Sequence, residues 1–325
     1  MPTAPAAHVP RPFGAVLSAM VTPFSTTGAL DTDGAAALAE RLVDEGHDGL
    51  VVSGTTGESP TTSDAEKDHL LRAVLEAVGD RAHVVAGVGT NDTAHTVELA
   101  RAAEKAGAHG LLVVTPYYSK PPQAALEHHF LTAADATGLP VMLYDIPGRS
   151  GVPIETETLV RLAAHERIVA VKDAKGDLAA TSWVLARTDL AYYSGEDVLN
   201  LALLAHGASG VVSVVAHVAG REYAAMVRAV DTGDLPAARA LHLRLLPAVR
   251  GIMNRTQGVV AVKAALELTG ALPHRSVRPP LLAATAGEVA AIAADLTAAG
   301  LLPGPTDTWS THPTDAAAPV AGGAA

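Results

Sequence analysis

The sequence contains no cysteine, few aromatic residues and a shortage of basic side chains. Without cysteine the chain forms no disulfide, no tetracysteine zinc site and no iron–sulfur cluster, and it has no thiol nucleophile. Lysine and arginine number 23 against 34 aspartates and glutamates, which gives a net charge of −11. This balance, with no basic cluster anywhere, disfavours nucleic acid as the main partner.

Long apolar runs are also missing. The most apolar late stretch, Leu281 to Leu302, is interrupted by Glu288, Asp295 and Gly300, so no membrane helix is expected. Met1 to Pro12 lacks the basic and apolar regions of a secretory signal. We therefore expect a cytoplasmic protein, and its 49% hydrophobic content is enough for a large core.

What the sequence does contain is an internal repeat. In three segments, beginning at Gly46, Gly107 and Gly207, a glycine follows an Ala-rich stretch and a second glycine precedes a β-branched run. The pattern predicts a helix, a left-handed glycine cap, a short turn and a buried strand. The first glycines lie 61 and 100 residues apart, about two and three times the length of one βα unit of roughly 30 to 33 residues.

Eight evenly spaced strand candidates follow from this repeat, and they predict an α/β protein with a (β/α)8 TIM barrel. An open doubly wound sheet is the alternative, but eight regular units favour closure. The domain prediction is a flexible segment over 1–12, the barrel over 13–233, three helices over 234–302 and a disordered tail over 303–325. The candidates are Val16–Val21, Leu50–Ser53, Val84–Gly87, Leu111–Thr115, Val141–Tyr144, Ile168–Lys172, Ala191–Ser194 and Val211–Val214.

Lys172 is the lysine whose position indicates chemistry. It follows the apolar run Ile168 to Val171, so its ammonium is expected at the carboxyl ends of the strands, where the active sites of such barrels lie. Partial desolvation there lowers the lysine pKa and lets the amine attack a carbonyl to form a Schiff base. Lys67, by contrast, is expected on a solvent-exposed helix face, and Lys263 lies in a late helix without an assigned role.

Two other strand ends carry candidate site residues. Tyr144 ends the preceding strand, and because neighbouring strands lie about 4.8 Å apart, its phenol is expected beside Lys172, where it can shuttle protons. Packing in the core is the alternative role for this tyrosine. Arg149 follows in the next loop and can bind a carboxylate bidentately, although its position alone fits a solvent-facing arginine better.

The remaining candidates lie in loops. Gly54 to Ser59 lacks the spacing of a phosphate-binding loop, and it either presents N–H groups and hydroxyls to a small carboxylate or forms an ordinary polar turn. Tyr117 and Tyr118 point in opposite directions, one towards the mouth of the barrel and the other towards a neighbouring subunit. The histidines are scattered and no HExxH motif occurs, so no metal site is expected.

Together these segments resemble the pyruvate-dependent class I aldolases of the dihydrodipicolinate synthase and N-acetylneuraminate lyase superfamily, and most of all the dihydrodipicolinate synthases within it. The resemblance runs from about Gly14 to Leu302 and leaves out the two ends of the chain. It is carried by Gly54–Ser59, Val114–Tyr118, Tyr144–Arg149, Val171–Gly176 and Ser194–Asp197.

The resemblance implies condensation of pyruvate with L-aspartate 4-semialdehyde to 4-hydroxy-tetrahydrodipicolinate, in diaminopimelate and lysine biosynthesis. It also implies a homotetramer built as a dimer of dimers and no separate cofactor, since the protonated imine is itself the electron sink. The residue roles that it implies are the Schiff base at Lys172, a hydroxyl relay of Thr55, Tyr144 and Tyr118 from a neighbouring subunit, the pyruvate carboxylate at Thr56, the semialdehyde carboxylate at Arg149, and a pocket lined by Gly195 and Val212.

Two alternatives remain open at this point. Sister aldolases that act on N-acetylneuraminate or on sugar acids share the lysine, the tyrosine and the fold, although Arg149 and the double threonine favour the synthase. A catalytically silent relative that binds a keto acid as a sensor is the other possibility, although every reactive position is intact.

Resemblance also bears on regulation. Lysine-inhibited members of the family bind lysine in a cleft at the dimer interface, and here that cleft has exchanged a glutamate for a histidine and has gained a lysine. Because a fixed cation repels the ammonium of free lysine, and Asp64 offsets this only in part, we expect no appreciable inhibition by millimolar L-lysine. The matching positions are Ser59, Pro60, Asp64, Lys67, Asn91, His95 and Tyr117.

Overall fold

Eight parallel strands pair in chain order and close into a barrel, which confirms the predicted TIM barrel. The computed structural model describes residues 9–303. Every neighbouring pair is parallel, and β1 pairs with both β2 and β8. The strands are β1 (Val16–Ala19), β2 (Gly49–Val52), β3 (His83–Gly87), β4 (Gly110–Val114), β5 (Val141–Asp145), β6 (Ile168–Asp173), β7 (Ala191–Ser194) and β8 (Gly210–Ser213).

Helices alternate with the strands, and three more follow the barrel. Short 3-10 turns cover Ser59–Thr61 and Asp197–Leu199. The helices are α1 (Thr32–Asp44), α2 (Asp64–Val78), α3 (Thr93–Ala106), α4 (Gln123–Asp135), α5 (Pro147–Ser150), α6 (Thr156–Leu162), α7 (Leu178–Leu185), α8 (Asn200–Ala205), α9 (Ala216–Asp231), α10 (Leu235–Met253), α11 (Gly258–Leu268) and α12 (Ala286–Ala298).

The three repeat glycines form the helix caps that the sequence predicts. Gly46, Gly107 and Gly207 all have positive φ, between 94° and 103°, as the predicted left-handed caps require. Reciprocal capping boxes open α2 at Ser63 and α12 at Thr285. The predicted first strand is too long, because β1 ends at Ala19 rather than Val21.

Side chains fill the inside of the barrel, so the barrel is a packed core and not a channel. Leu17, Val51, Met142 and Val212 belong to this inner cluster. Tyr193 also lies there and donates a hydrogen bond of 2.9 Å to the Gly14 carbonyl. The alternate strand residues pack outward against the helices. Substrate therefore has access only at an end of the barrel.

The two ends of the chain are described only in part. Of the segments predicted to be flexible or disordered, residues 1–8 and 304–325 lie outside the described residues, and the predicted domain boundaries stay predictions. Arg11 donates to the Ser209 carbonyl and binds Asp231 at 2.7 Å. Within residues 9–303 every helix is too short or too polar to cross a bilayer.

Candidate active site

Lys172 and Tyr144 meet at the carboxyl end of the barrel. They are paired in the register of β5 and β6, so both side chains leave the sheet on the same side. The Lys172 Nζ atom lies 4.2 Å from the centroid of the Tyr144 ring, and both residues are buried. An amine and a phenol thus share one enclosed site.

Burial gives these two groups unusual acidities. It lowers the pKa of Lys172 to about 8, against an opposing effect of Asp197. It raises the pKa of Tyr144 to about 12, with the neighbouring Arg149 and Thr55 opposing. Near neutral pH the lysine therefore has an accessible neutral form, while the phenol keeps its proton.

Gly195 leaves room for the aliphatic chain of Lys172. A Cβ atom placed on Gly195 would lie 2.9 Å from Cγ and 3.0 Å from Cε of Lys172. The backbone here is fixed, since the Gly195 N–H donates to the Asp173 carbonyl at 2.7 Å. Any larger residue would push the lysine out of its present conformation.

A cavity of about 570 Å³ reaches Tyr144. Thr55, Tyr118, Tyr144 and Arg149 line it, and Arg149 is exposed to solvent. The other predicted site residues lie outside its lining. These are Lys172, Thr56 and Val212, which are buried, and Gly195, which is partly exposed.

The loop between β2 and α2 holds the two threonines in a constrained backbone. It begins at Ser53 and reaches Glu58, and both residues have positive φ, at 55° and 54°. The Thr22 hydroxyl donates to the Gly57 carbonyl at 2.6 Å. Positive φ costs about 1 to 3 kcal/mol at a residue with a side chain, so surrounding contacts must hold this conformation.

Tyr118 faces away from its own chain. Its side chain is 90% exposed and its φ is +74°, while Tyr117 beside it is 37% exposed. Both line the cavity. The sequence predicts that one of these hydroxyls reaches a neighbouring subunit, and the exposure of Tyr118 is compatible with that role.

The loop after β5 is held by an ion pair that the sequence analysis did not predict. Lys175 Nζ lies 3.0 Å from the buried Asp145 carboxylate and donates to the Ile154 carbonyl at 3.0 Å. The Ile154 N–H donates to the other oxygen of Asp145. These contacts fix both ends of the segment that carries Arg149.

Two acidic residues act on the charge of Lys172, and the sequence motif Ser194–Asp197 did not predict this role. Asp197 is buried and accepts hydrogen bonds from the Val214 and Val215 N–H groups, each at 3.1 Å. Glu196 is half-buried, and burial raises its pKa. Both carboxylates favour the protonated form of Lys172. The signal in the sequence for this role is that both acidic residues closely follow the end of a predicted strand.

The seven positions that match the lysine-binding cleft of lysine-inhibited relatives also come together. All seven line the same cavity. The expectation that Lys67 lies on a solvent-exposed face is wrong, because its side chain is only 13% exposed. Lys67 Nζ donates to the Thr62 carbonyl at 2.5 Å and lies 3.9 Å from Asp64, which also lies 2.9 Å from His95.

Comparison with known proteins identifies relatives for this geometry. A relative from Kineococcus radiotolerans, a 4-hydroxy-tetrahydrodipicolinate synthase, is 80% identical over 307 residues, which are 94% of this chain and all of the relative. A crystal structure of the enzyme from Cyanidioschyzon merolae with lysine bound has a TM-score of 0.87 and 39% identity, and covers 90% of this chain and 100% of that one.

A second solved structure is the chloride-inhibited dihydrodipicolinate synthase from Acinetobacter baumannii complexed with pyruvate. It has a TM-score of 0.86 and 31% identity, and covers 89% of this chain and 100% of its own. The model of the dihydrodipicolinate synthetase family matches residues 12–299. The resemblance carried by the strand-end motifs is thereby confirmed, and the chain belongs to the dihydrodipicolinate synthetase family.

Proposed function

We propose that this chain is a lyase that condenses pyruvate with L-aspartate 4-semialdehyde to 4-hydroxy-tetrahydrodipicolinate, in diaminopimelate and lysine biosynthesis. The observation that carries the proposal is the buried Lys172 amine, with its lowered pKa, against the Tyr144 ring at the carboxyl end of the barrel. Relatives aligned over nearly the whole chain are named for this synthase, which favours it over the sister aldolases and over a silent sensor.

The reaction begins on Lys172. Its neutral amine attacks the keto carbon of pyruvate, water leaves, and a protonated imine forms. Loss of a proton from the pyruvate methyl group gives an enamine, which attacks the aldehyde carbon of the semialdehyde. The amino group of the acceptor then displaces Lys172 from the imine carbon, which closes the ring and frees the lysine. The imine nitrogen takes up the electrons, so the proposal involves no separate cofactor.

The neighbouring residues supply protons and binding contacts. Tyr144 keeps its proton at neutral pH, so with Thr55 and a partner's Tyr118 it can pass protons to and from the intermediates. Thr56 and the backbone of its loop bind the pyruvate carboxylate, and Arg149 binds the carboxylate of the semialdehyde. Gly195 and Val212 complete the pocket around Lys172.

The direct test is a comparison of acceptors. Purified protein is given pyruvate with L-aspartate 4-semialdehyde, N-acetylmannosamine or glyceraldehyde, and consumption of each aldehyde is followed. The proposal requires the highest kcat/KM with the semialdehyde. Preference for either sugar-type aldehyde would assign the chain to a sister aldolase activity. The cytoplasmic location expected from the sequence stays a prediction.

The active assembly is proposed to be a homotetramer in which Tyr118 completes the site of its neighbour in a tight dimer. Its 90% exposure in the single chain supports this. Mixing inactive Tyr118→Phe with inactive Lys172→Ala subunits is expected to restore about a quarter of wild-type activity. Random exchange makes half of the dimers mixed, and each mixed dimer has one site with both residues intact.

Subunit exchange must be shown independently, for example by native mass spectrometry of differently tagged chains. Mixing two portions of the same variant provides the control and is expected to restore nothing. If mixed dimers are present and activity does not recover, Tyr118 does not act across the interface.

L-Lysine at millimolar concentration is expected not to inhibit the enzyme. The half-buried Lys67 places a cation in the cleft, and the carboxylate of Asp64 already lies beside Lys67 and His95. An incoming ammonium therefore meets like charge with no uncommitted carboxylate to offset it. The check is to measure initial rates with L-lysine at concentrations up to about 20 mM, which covers weak, millimolar binding. The rates are expected to stay unchanged at millimolar L-lysine.

A matched variant tests the physical reason. Changing Lys67 to His together with His95 to Glu restores the family's residues at two positions, and is expected to lower the half-inhibitory concentration of lysine. Half-inhibition of the unchanged enzyme below about 1 mM, which is roughly 4 kcal/mol of binding, would contradict this interpretation of the cleft.

A further inference from the structure

Glu58 is a buried carboxylate at the end of the loop that carries Thr55 and Thr56. Its side chain is 2% exposed, and its backbone is left-handed, with φ of 54°. A buried charge and a strained backbone at one residue are both unfavourable unless contacts compensate them. Each oxygen of Glu58 accordingly has its own donor, and both donors come from the C-terminal region of the chain.

The first donor is Lys263 on α11, 205 residues away in sequence. Its Nζ lies 2.5 Å from one Glu58 oxygen and donates to the Ser276 carbonyl at 2.8 Å. The ammonium also lies 4.3 Å from the centroid of the Phe24 ring. The Lys263 side chain is 1% exposed, so it serves no solvent-facing role.

The second donor is the N–H of Arg278, 2.9 Å from the other Glu58 oxygen. The guanidinium of the same residue binds the Glu66 carboxylate with two nitrogens and donates to the carbonyls of Gly28 and Thr61. The segment that contains Arg278 therefore fastens both the end of the threonine loop and the beginning of α2.

On its other side this loop is held by the Thr22 hydroxyl, which donates to the Gly57 carbonyl. The backbone is thus fixed one and two residues after Thr56, and Thr55 lines the same cavity as Tyr144. We infer that the buried Glu58–Lys263 pair is a positioning device, which sets the places of Thr55 and Thr56 relative to the imine on Lys172. This inference rests on the proposed function.

Three variants separate positioning from stability. Lys263→Met leaves the Glu58 carboxylate buried without its cation, which is strongly destabilising. Glu58→Gln replaces one of the two acceptor oxygens by an NH₂ donor, so it keeps the present contact to Lys263 or the one to the Arg278 N–H and loses the other. The double variant Glu58→Gln/Lys263→Met contains no unpaired charge, and is expected to be more stable than Lys263→Met.

The readouts use pyruvate alone, so they do not depend on the acceptor. Loss of the pyruvate methyl signal in D₂O, followed by NMR, reports proton transfer at the imine. Borohydride trapping reports how much Lys172 carries pyruvate at each concentration. In all three variants we expect full occupancy at saturating pyruvate, a several-fold higher half-saturating concentration, and methyl exchange at least tenfold slower than in the wild type.

Asp295→Asn is the matched control. Asp295 is a buried carboxylate of the same C-terminal region that binds Arg255 at 2.7 Å, and it contacts neither the threonine loop nor α2. Loss of this carboxylate is expected to lower the melting temperature. At an assay temperature where every variant is folded, the rate of methyl exchange and the half-saturating pyruvate concentration should be unchanged.

The double variant decides between the two roles. Slow exchange in a folded double variant whose stability has recovered would support positioning. The positioning role would be overturned if methyl exchange in the double variant were within twofold of the wild-type rate. It would also be overturned if the exchange rate rose from Lys263→Met to the double variant in proportion to the recovered stability, and the pair would then be a purely structural contact. The wild-type exchange rate, measured separately, tests the proposed imine chemistry.

Discussion

Borohydride added together with pyruvate is expected to fix a reduced pyruvate adduct on Lys172 and on no other lysine. The neutral amine is the nucleophile, and burial lowers the pKa of Lys172 to about 8. At pH 7 about a tenth of such groups are neutral, roughly 300 times the fraction for an unperturbed lysine. Mass spectrometry of the tryptic peptide containing Lys172 checks the site of labelling.

The chain contains its own controls for burial. Lys175 and Lys263 also have little exposure, but each lies within 3.0 Å of a carboxylate oxygen, on Asp145 and Glu58 respectively. Each ammonium also donates to a backbone carbonyl, on Ile154 and Ser276 respectively, so neither amine is free to approach pyruvate. Labelling of either residue, or no labelling at all, would contradict the Schiff-base mechanism.

The rate of imine formation is expected to follow the same pKa. A lysine titrating near pH 8 is mainly protonated below that value, so imine formation should slow about tenfold for each unit of pH decrease below 7. Lys172→Ala, which removes the amine, is expected to lower turnover on the order of 10⁴-fold or more while the chain remains folded. A plateau that extended down to pH 6 would mean that the pKa of the amine is lower than its burial implies.

Arg149→Ala is expected to retain the pyruvate imine and to lose turnover with L-aspartate 4-semialdehyde. Arg149 is exposed at the cavity lining, and its proposed role is a charge-assisted contact to the acceptor carboxylate. Loss of such a contact costs on the order of 2 to 4 kcal/mol, or tens- to hundreds-fold in kcat/KM. Steady-state kinetics with varied semialdehyde, beside borohydride trapping with pyruvate, measure the two effects separately.

Arg149→Lys is the matched variant, since it keeps the positive charge but cannot form the bidentate hydrogen bonds of a guanidinium. Its kcat/KM should lie between those of the wild type and Arg149→Ala. The arginine also lowers the pKa of Lys172, so its removal should move the pH profile of imine formation slightly upward. An unchanged kcat/KM in Arg149→Ala would show that the semialdehyde carboxylate binds elsewhere.

The barrel and the central pair could be predicted because their information is local. Repeated glycines and apolar runs set the strands, and residues directly after two neighbouring strands must meet at one edge. Lys172 and Tyr144 do so. Their roles, and those of Thr56 and Arg149, came from family resemblance, because periodicity says nothing of which substrate group a side chain binds.

The contacts around the loops could not be predicted in this way. Lys263 stands in an apolar helix, and nothing near it in sequence indicates that its partner is Glu58. The sequence predicts a solvent-exposed Lys67 because a helix pattern contains no information about contacts to the chain before the helix. The Thr62 carbonyl, which precedes α2, accepts the hydrogen bond of Lys67. Such pairs depend on how the C-terminal helices and loops pack, which is a property of the whole fold.

Closure of the barrel also has a consequence for synthesis of the chain. The edge of β1 that does not face β2 pairs with β8, and Val16 is matched with Val211, 195 residues later. At roughly 5 to 20 residues per second, the ribosome needs roughly 10 to 40 s to make that distance. Throughout this time an apolar strand edge has no partner, and such edges pair readily with other chains. The nascent protein is therefore most exposed to aggregation before β8 leaves the ribosome.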